Sequence, residues 1–496
     1  MPPSLIELRL SGCSLNDDNL SLGYVNFTSL EVFDISNNSL HSEIPNWLSN
    51  LQYLRSLILR NNQLKGLIPK WIGQLNHLEQ LDLSNNMLFG PIPSIFGSLS
   101  SLKSLDASFN RLNGSLPRDI GKLSKLEVLS IGYNSFSGIV SEQSFTNLSN
   151  LKSLSLDSSD FIFNLGSHWH PHFQLEKISI SYCKLGPEFP SWLYSQKSLS
   201  YLDVSSSGLS FNINEDLNFW SFVAQIDNLF LSHNSIRSNN LSGEIPHSIG
   251  SLNKLQTFRV RNNSLFGNVP FSLKSCKSLW YLDLGLNEFT GNIPTWLSHL
   301  SMALLLRSNK FSGTIPLHIC ELSSLLVLDL ADNGLSGPIP KCLHNITTMI
   351  TNTVDEGLFT SYFHLSRNQL SGEIPQSMSN LSFLSFLNLS CNHFSGEIPL
   401  GTQLQSFDAV SYIGNPQLYG DPLPKKCKQE GTRYHGFKSV QDKDDSDFMS
   451  LFEMGMGFGF ASAFWAVLGI FLFVRRWRDA YFRALQNLYL KAKRLW

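Results

Sequence analysis

The feature that most constrains the fold is a repeat of 24 residues that runs along most of the chain. LRSLILRNN begins at Leu54, LEQLDLSNN begins at Leu78, and the next unit begins at Leu102. Sixteen such units can be aligned, and nine of the fifteen steps between their starts are 24 residues long. Self-similarity at a fixed period is typical of solenoids, in which each unit buries its apolar face only against its neighbours. We therefore expect one elongated stack of units rather than several globular domains.

Each unit has two halves with different chemistry. In the first half, Leu78, Leu81 and Leu83 are predicted to point inward, while the residues between them alternate outward from a short strand. Asn86 falls where the chain turns, so its amide can bond backbone groups that the turn leaves unpaired. In the second half, GPIPSIFGSL combines a glycine with Pro93, which blocks a long helix. The pattern predicts a leucine-rich repeat solenoid with a parallel β-sheet on its concave face and short strands and 3₁₀ turns on its convex face.

Residues 454–474 form a stretch of 21 residues without a charge, which predicts a single transmembrane α-helix because about 20 residues cross a bilayer core. The glycines that open this stretch also resemble the start of a phosphate-binding loop, but a long apolar run such as Phe460, Phe464 and Trp465 follows them, so we favour the membrane. The tail, residues 475–496, carries seven basic side chains against one acid, which predicts a cytoplasmic location. It is too short for a kinase or any other folded domain.

The preceding chain divides into three predicted parts. Residues 1–405 are the repeat ectodomain, 406–427 a C-terminal cap, and 428–453 an acidic juxtamembrane linker. The ectodomain is mildly acidic, which gives no reason to expect nucleic-acid binding. We expect the worst irregularities of the stack at the long or broken units, near 157–175, 210–226, 236–240 and 350–362.

Several stretches are more specific than the repeat itself. They are KLGPEFPSWLYSQKSLSYLDVSSSGLS from Lys184, IPKCLHNITTM from Ile339, the block from Leu365 to Phe407, and the acidic–apolar–basic ending. In these stretches the chain resembles plant leucine-rich repeat receptor-like proteins of the group that includes fungal-xylanase elicitor receptors and leaf-mould resistance receptors. The resemblance implies a kinase-less, single-pass receptor of the plasma membrane with its N-terminus outside. It would sense a microbial or endogenous peptide, protein or glycan, in immunity or development, and signal through partner receptor kinases.

The chain departs from that group in three places. It opens inside a repeat without a signal peptide, so we expect an N-terminally truncated member. The non-repeat island of the group is reduced to a remnant near 350–362. Its cap reads Leu418-Tyr419-Gly420 where the group has Leu-Cys-Gly, which leaves Cys427 without its usual partner. Two alternatives therefore stay open: a non-signalling decoy, and an inhibitor-like protein directed at fungal cell-wall hydrolases.

Candidate binding residues stand out against outward positions that are otherwise small. The larger ones, which are the types enriched at binding hot spots, are Tyr201, Phe230, Arg259, Arg261, Trp280 and Tyr281. Ordinary surface variation is the alternative explanation for any one of them. In the membrane stretch, Gly455, Gly459 and Ala463 lie four residues apart on one helix face, where small residues let two helices approach. The resemblance suggests an adaptor receptor kinase on this face and a co-receptor kinase on the ectodomain.

The remaining chemistry indicates a glycosylated ectodomain of the secretory pathway without enzymatic activity. Cys320 and Cys342 lie 22 residues apart, almost one repeat, and are a candidate disulfide. HWHPH, residues 168–172, spaces three histidines closely, but a structural zinc site needs four ligands, so we expect no metal. We also expect no catalytic centre and no cofactor, because the recurring Ser and Asp residues occupy fixed repeat positions. The glycosylation sequons are Asn26, Asn37, Asn113, Asn147, Asn240, Asn262, Asn345, Asn380 and Asn388.

Overall fold

A computed structural model describes residues 4–17, 27, 29–216, 218–234, 241–297, 300, 302–350 and 361–423. These residues all belong to one compact unit, Met1–Cys427. The predicted linker, membrane helix and tail lie outside the described residues. Within the described ranges, no helix has the length and apolar character needed to cross a bilayer.

One parallel sheet of sixteen strands runs along the unit and takes one strand from each repeat, in chain order. We call it the main sheet. Its strands are Glu7–Arg9, Val32–Asp34, Ser56–Ile58, Gln80–Asp82, Ser104–Asp106, Val128–Ser130, Ser153–Ser155, Lys177–Ser179, Tyr201–Asp203, Asn228–Phe230, Thr257–Arg259, Tyr281–Asp283, Ala303–Leu305, Val327–Asp329, Ser361–His364 and Leu384–Asn388. The expected continuous parallel solenoid is confirmed.

The register places equivalent residues side by side. Leu57 pairs with Leu81, which in turn pairs with Leu105, and all three side chains are fully buried. Because alternate strand residues face opposite sides, these leucines stack into one continuous core while their neighbours form the outward face. Each unit therefore completes its core only through contact with the next.

Asparagine side chains fix the turn after each strand. The Asn86 Nδ2 donates to the Leu59 carbonyl of the previous unit and to the Leu83 and Ser84 carbonyls of its own turn, all at 3.1 Å. Its Oδ1 accepts the Leu64 amide at 3.0 Å. One side chain thus satisfies four buried backbone groups, which explains why the residue recurs. We call this column of asparagines the inner ladder.

Behind the main sheet lie two smaller parallel sheets, one of five strands and one of eight. The five are Lys65–Leu67, Met87–Gly90, Arg111–Gly114, Ser135–Ser141 and Asp160–Asn164. The eight are Ser242–Glu244, Ser264–Asn268, Glu288–Asn292, Lys310–Thr314, Gly334–Gly337, Gln369–Glu373, His393–Glu397 and Gln417–Tyr419. Between the last strand of the five and the first strand of the eight lie the predicted irregular region 210–226 and residues 165–175 of the one near 157–175. The predicted irregular region 236–240 and most of 350–362 lie outside the described residues.

Short 3₁₀ helices close most units. They are Asn46–Asn50, Lys70–Gln74, Ser94–Ser98, Arg118–Lys122, Glu142–Phe145, Ser191–Ser195, His247–Ser251, Phe271–Ser275, Leu317–Glu321, Lys341–Asn345, Thr347–Met349, Gln376–Asn380 and Ala409–Ser411. Most follow directly on a proline, as Ser94–Ser98 follows Pro93, whose carbonyl accepts the Phe96 amide at 3.0 Å. Proline fixes its own φ and lacks a donor, so it starts such a turn without loss.

The expectation that α-helices are absent from this side needs a small correction. Two α-helical turns occur, Phe219–Val223 and Thr402–Ser406. The first lies in a unit that is 27 residues long, and it buries Phe219, Phe222 and Val223, which share one helix face at spacings of three and four. The extra residues and this apolar spacing together favour one α-helical turn.

The C-terminal cap continues the repeat geometry further than its sequence suggests. Gln417–Tyr419 pairs with His393–Glu397, and Tyr412 is fully buried. Asn415 takes an inner-ladder role, because its Oδ1 accepts the Phe394 amide at 3.0 Å. The cap therefore covers the last core edge with a partial unit.

Candidate functional site

Four of the six candidate binding residues form one row across consecutive strands of the main sheet. The ring centroids of Tyr201 and Phe230 lie 5.2 Å apart. The Arg259 guanidinium carbon lies 5.2 Å from the Phe230 centroid and 4.0 Å from the Tyr281 centroid. Lys177 extends the row, with its Nζ 4.7 Å from the Tyr201 centroid. We call these five side chains the aromatic–arginine row.

The backbone geometry explains why they meet. Phe230 pairs directly with Arg259. Tyr201 lies two residues out of register with Phe230, and Tyr281 lies two residues out of register with Arg259. Residues two apart on a strand share a face, and diagonal neighbours on adjacent strands remain within reach of long side chains. Alternating cations and ring faces then attract one another.

Arg259 is held by ring faces rather than by ion pairs. Its Nε is buried and has no hydrogen-bond partner among the described residues. No carboxylate lies within ion-pair distance of it in the described ranges. The guanidinium charge therefore has no carboxylate partner among the described residues, and a ligand carboxylate can pair with it.

Arg261 and Trp280 occupy the margins of the row. The Arg261 Nη1 lies 3.9 Å from the Asp283 Oδ1, and the Arg261 side chain is only 25% exposed. Trp280 comes just before its strand, and its ring meets that of Tyr281 edge to face at 6.2 Å. The structure thus brings all six candidates into one neighbourhood but gives Trp280 a flanking position.

Carboxyl and phenol groups beside the row are poorly solvated. Burial raises the pKa of Asp203 and of Asp283, although nearby arginines oppose the effect. Burial, with a smaller effect from Asp203, raises the pKa of Tyr201 to about 12. The row therefore presents neutral phenols and fixed guanidinium charges at physiological pH.

A second aromatic group on the main sheet escaped sequence reasoning. Tyr362 and Phe386 stack with centroids 4.4 Å apart, and the His364 ring lies edge-on to both. His364 Nε2 lies 2.7 Å from the Ser366 hydroxyl, and its Nδ1 lies 3.4 Å from Asp329. The long step before this unit hid the repeat register, which is the signal that would have identified these outward positions.

Asp329, His364 and Ser366 are connected in the same order as the catalytic triad of a hydrolase, but their side chains are not accessible to a substrate. His364 is 4% exposed and Ser366 is 5% exposed. A nucleophile must reach the reacting carbon of its substrate, which these buried atoms cannot do. The group is better explained as a polar network that holds Tyr362 in place.

Comparison with known proteins decides the family. A model described as a leucine-rich repeat region matches residues 4–219, and one described as leucine rich repeat matches 278–300, 324–346, 360–381 and 383–403. The chain belongs to the leucine-rich repeat family.

The expected resemblance to plant receptor-like proteins is also confirmed. The chain is 36% identical over 115 residues to receptor-like protein EIX1 of Solanum lycopersicum, covering 23% of this chain and 11% of that protein. It is 32% identical over 130 residues to receptor-like protein EIX2 of the same species, covering 22% and 12%. These matches span only a small part of each relative's length.

Solved structures resemble a larger part of this leucine-rich repeat chain. The plant peptide hormone receptor RGFR1 in complex with RGF2 is 29% identical with a TM-score of 0.57, covering 80% of this chain and 65% of that one. The Arabidopsis receptor kinase HAESA, in complex with the peptide hormone IDA and the co-receptor SERK1, is 31% identical with a TM-score of 0.56, covering 81% and 68%.

The other predicted positions of the leucine-rich repeat chain are distributed as follows. Cys320 and Cys342 are joined by a disulfide that links two neighbouring 3₁₀ helices. His168, His170 and His172 lie in the described ranges, where no group of His, Cys, Asp or Glu is arranged to hold a metal. Gly455, Gly459 and Ala463 lie outside the described residues.

The sequons divide by location. Asn388 is half-buried on a main-sheet strand, and Asn37 and Asn262 occupy the sheet margin. The exposed ones away from the main sheet are Asn113, Asn147, Asn345 and Asn380. Asn26 and Asn240 lie outside the described residues.

Proposed function

We propose that this protein is a kinase-less cell-surface receptor that binds a peptide or protein ligand through the main sheet. The observation that carries the proposal is the aromatic–arginine row. It gathers the residue types that dominate binding energy on the one face whose outward positions are not needed for the fold. The similarity to ectodomains solved with peptide hormones supports the same ligand class.

The row suggests how a peptide is held. Ring faces of Tyr201, Phe230 and Tyr281 supply rigid apolar area at little conformational cost. The Arg259 guanidinium, which has no carboxylate partner among the described residues, supplies a charge for a peptide carboxylate. An extended peptide that crosses the strands meets an apolar contact, a charge and a second apolar contact in turn.

The proposed receptor is anchored by residues 454–474, with 1–405, the cap 406–427 and the linker 428–453 outside and the basic tail 475–496 inside. In this proposal, partner receptor kinases carry the signal. We assign one partner, an adaptor receptor kinase, to Gly455, Gly459 and Ala463, and a co-receptor kinase to the ectodomain. Plant immunity is the proposed setting, with development as the alternative.

A selection experiment tests the ligand site. The purified full chain in detergent is presented to a phage-displayed random peptide library, and enriched peptides are measured against Arg259→Gln and Tyr281→Ala. We expect each variant to bind about tenfold or more weakly, because truncating a hot-spot side chain costs upwards of 1–2 kcal/mol.

The matched control is Arg60→Gln. Arg60 holds the same repeat position as Arg261, and its Nε lies 4.0 Å from Asp82. The Arg60→Gln substitution therefore removes an arginine charge from the same sheet face at a place away from the row. Peptides that bind Arg259→Gln as tightly as the unaltered chain would remove the row from the site.

A further inference from the structure

The margin of the main sheet carries a second set of exposed aromatic side chains. In fifteen of the sixteen units, from Asn37 to Cys391, the residue before the inner-ladder position is not glycine and has a positive φ between 51° and 62°. Asparagine tolerates this conformation best, and Asn37, Asn61 and Asn85 fill it in early units. Four consecutive units instead place Phe109, Tyr133, Ser158 and Tyr182 there. Bulky residues at this position oppose local backbone preference. Leu286 and Arg367 show that the position also accepts them in later units, so what distinguishes these four units is that three of their residues are aromatic.

These rings are open to solvent. Phe109 is 53% exposed, Tyr133 46% and Tyr182 61%. Phe109 and Tyr133 stack with centroids 4.3 Å apart and planes 6° from parallel. Tyr182 lies two strands beyond Tyr133, or roughly 10 Å at the usual strand spacing. The small Ser158 between the two tyrosines leaves a gap in the aromatic column.

A pocket of about 590 Å³ lies beside Ser158 and Tyr182, and its lining begins at Asn134, the residue after Tyr133. Its lining includes the Tyr182 ring and three serines, Ser135, Ser137 and Ser158, whose hydroxyls bond no other described residue. Asp160 also lines it, but its carboxylate is paired with the Lys184 ammonium at 3.2 Å. The pocket thus offers an aromatic face and neutral hydroxyl groups, and no arginine or lysine is part of its lining.

This combination favours one class of ligand. Phosphate, sulfate or uronic acid groups would seek cations, which the lining lacks. A peptide strand would seek a free sheet edge, but the adjacent strand Ser135–Ser141 is paired on both sides. A neutral sugar ring has an apolar C–H face and a rim of hydroxyl groups, which match a tyrosine face and serine hydroxyls respectively.

We propose that Tyr133, Ser158 and Tyr182 form a binding site for a soluble, neutral and extended oligosaccharide. One sugar ring packs on each tyrosine, and the ring between them places its hydroxyl groups over Ser158. The site is separate from the aromatic–arginine row, so the protein carries one surface for peptide and one for glycan.

Titration of the purified full chain in detergent with cellohexaose and xylohexaose tests the site, with ligand saturation-transfer NMR and calorimetry as readouts. We expect binding of at least one of these sugars, weakened about three- to tenfold by Tyr133→Ala or Tyr182→Ala, since an aromatic contact contributes about 0.5–1.5 kcal/mol. Tyr182→Phe keeps the ring face and retains most of the affinity. Ser158→Leu fills the gap and abolishes binding.

The controls separate this site from the rest of the molecule. Tyr53→Ala removes a tyrosine that is 60% exposed and stacked on His77, outside the four-unit column, and leaves sugar binding unchanged. Peptide binding by the row, measured on the same samples, is unaffected by Tyr182→Ala. The proposal is overturned if neither sugar binds, if Tyr182→Ala binds as well as the unaltered chain, if oligogalacturonate binds more tightly than the neutral sugars, or if Arg259→Gln rather than Tyr182→Ala removes sugar binding.

Discussion

The main sheet has two halves that share a backbone but not a surface. From Ser56 to Ser155, the outward strand positions are mostly small or polar, as in Ser104 and Ser130, with Ile58 and Val128 as the apolar exceptions. From Tyr201 to Phe386 they include rings and guanidinium groups that contact one another across strands. Both halves use the same parallel register and the same inner ladder. The comparison separates what the repeat needs in order to stack from what it leaves free to vary.

Two ion pairs at equivalent repeat positions illustrate the difference between the two halves. Arg60 lies 4.0 Å from Asp82, and Arg261 lies 3.9 Å from Asp283, each joining the same repeat positions in successive units. The Arg60 side chain is 53% exposed, however, while that of Arg261 is 25% exposed. The backbone sets the distance between partners, but the neighbouring side chains set their solvation.

The largest expected effect tests whether the inner ladder stabilises both halves equally. Asn86→Ala leaves the buried Leu64 amide without a partner, and Asn287→Ala does the same to the Leu265 amide. Each variant also removes one of two donors from three turn carbonyls, so we expect a loss of about 3 kcal/mol of local stability in either half. Hydrogen exchange of the neighbouring strands, followed by mass spectrometry, measures it. Asn85→Gly removes one exposed hydrogen bond, keeps the positive φ accessible and costs less than about 1 kcal/mol. A loss confined to one half would contradict the shared ladder.

The next effect distinguishes the halves. The Cys320–Cys342 disulfide closes a short loop in the second half, so the double serine variant loses about 2–4 kcal/mol there. Exchange should accelerate around Leu317–Glu321 and remain unchanged around Ser104–Asp106. Buried Cys276→Ser is the matched control, because it removes a thiol without breaking a cross-link. Equal acceleration in both regions would mean that the two halves unfold as one unit.

A smaller effect sharpens the comparison of the two ion pairs. Arg261→Gln costs about 1 kcal/mol, whereas Arg60→Gln costs less than about 0.5 kcal/mol, because exposed pairs contribute little. Chemical denaturation at low and high salt measures both. Added salt should reduce the stability cost of Arg60→Gln more than that of Arg261→Gln, because dissolved ions reach the exposed Arg60–Asp82 pair more easily. Identical costs and salt dependence would show that the aromatic neighbours do not change the environment of Arg261.

The smallest effect near neutrality concerns Tyr201, because burial raises the pKa of its phenol to about 12. The folded chain holds this proton more tightly than the unfolded chain, where the pKa is about 10. The resulting stability is complete below about pH 10 and is lost as the pH rises towards 12. Tyr201→Phe cannot ionise and should lose less stability between about pH 8 and about pH 11. A variant with the same alkaline decline as the unaltered chain would show that Tyr201 ionises freely in the folded state.

Much of the fold could be predicted because most units repeat the same sequence pattern. Leu81 and Asn86 recur at fixed spacing, and recurrence reveals their roles without knowledge of distant contacts. Less regular units limited the prediction: Phe219–Val223 became an α-helical turn, and Asn415 extended the ladder into the cap. In both places the sequence departs from the period, so only packing against the preceding unit identifies the role of each residue.

The sequence by itself determined the solenoid, its parallel sheet and the outward position of Tyr201, Phe230, Arg259 and Tyr281, because a period of two within a period of 24 fixes which side chains leave the core. Only the tertiary structure decided that Arg259 is held between ring faces, that Tyr362 stacks on Phe386, and that Tyr182 and Ser158 line one pocket. These contacts join residues from different units. They depend on strand register and on positive-φ turns, and no single stretch of sequence specifies either.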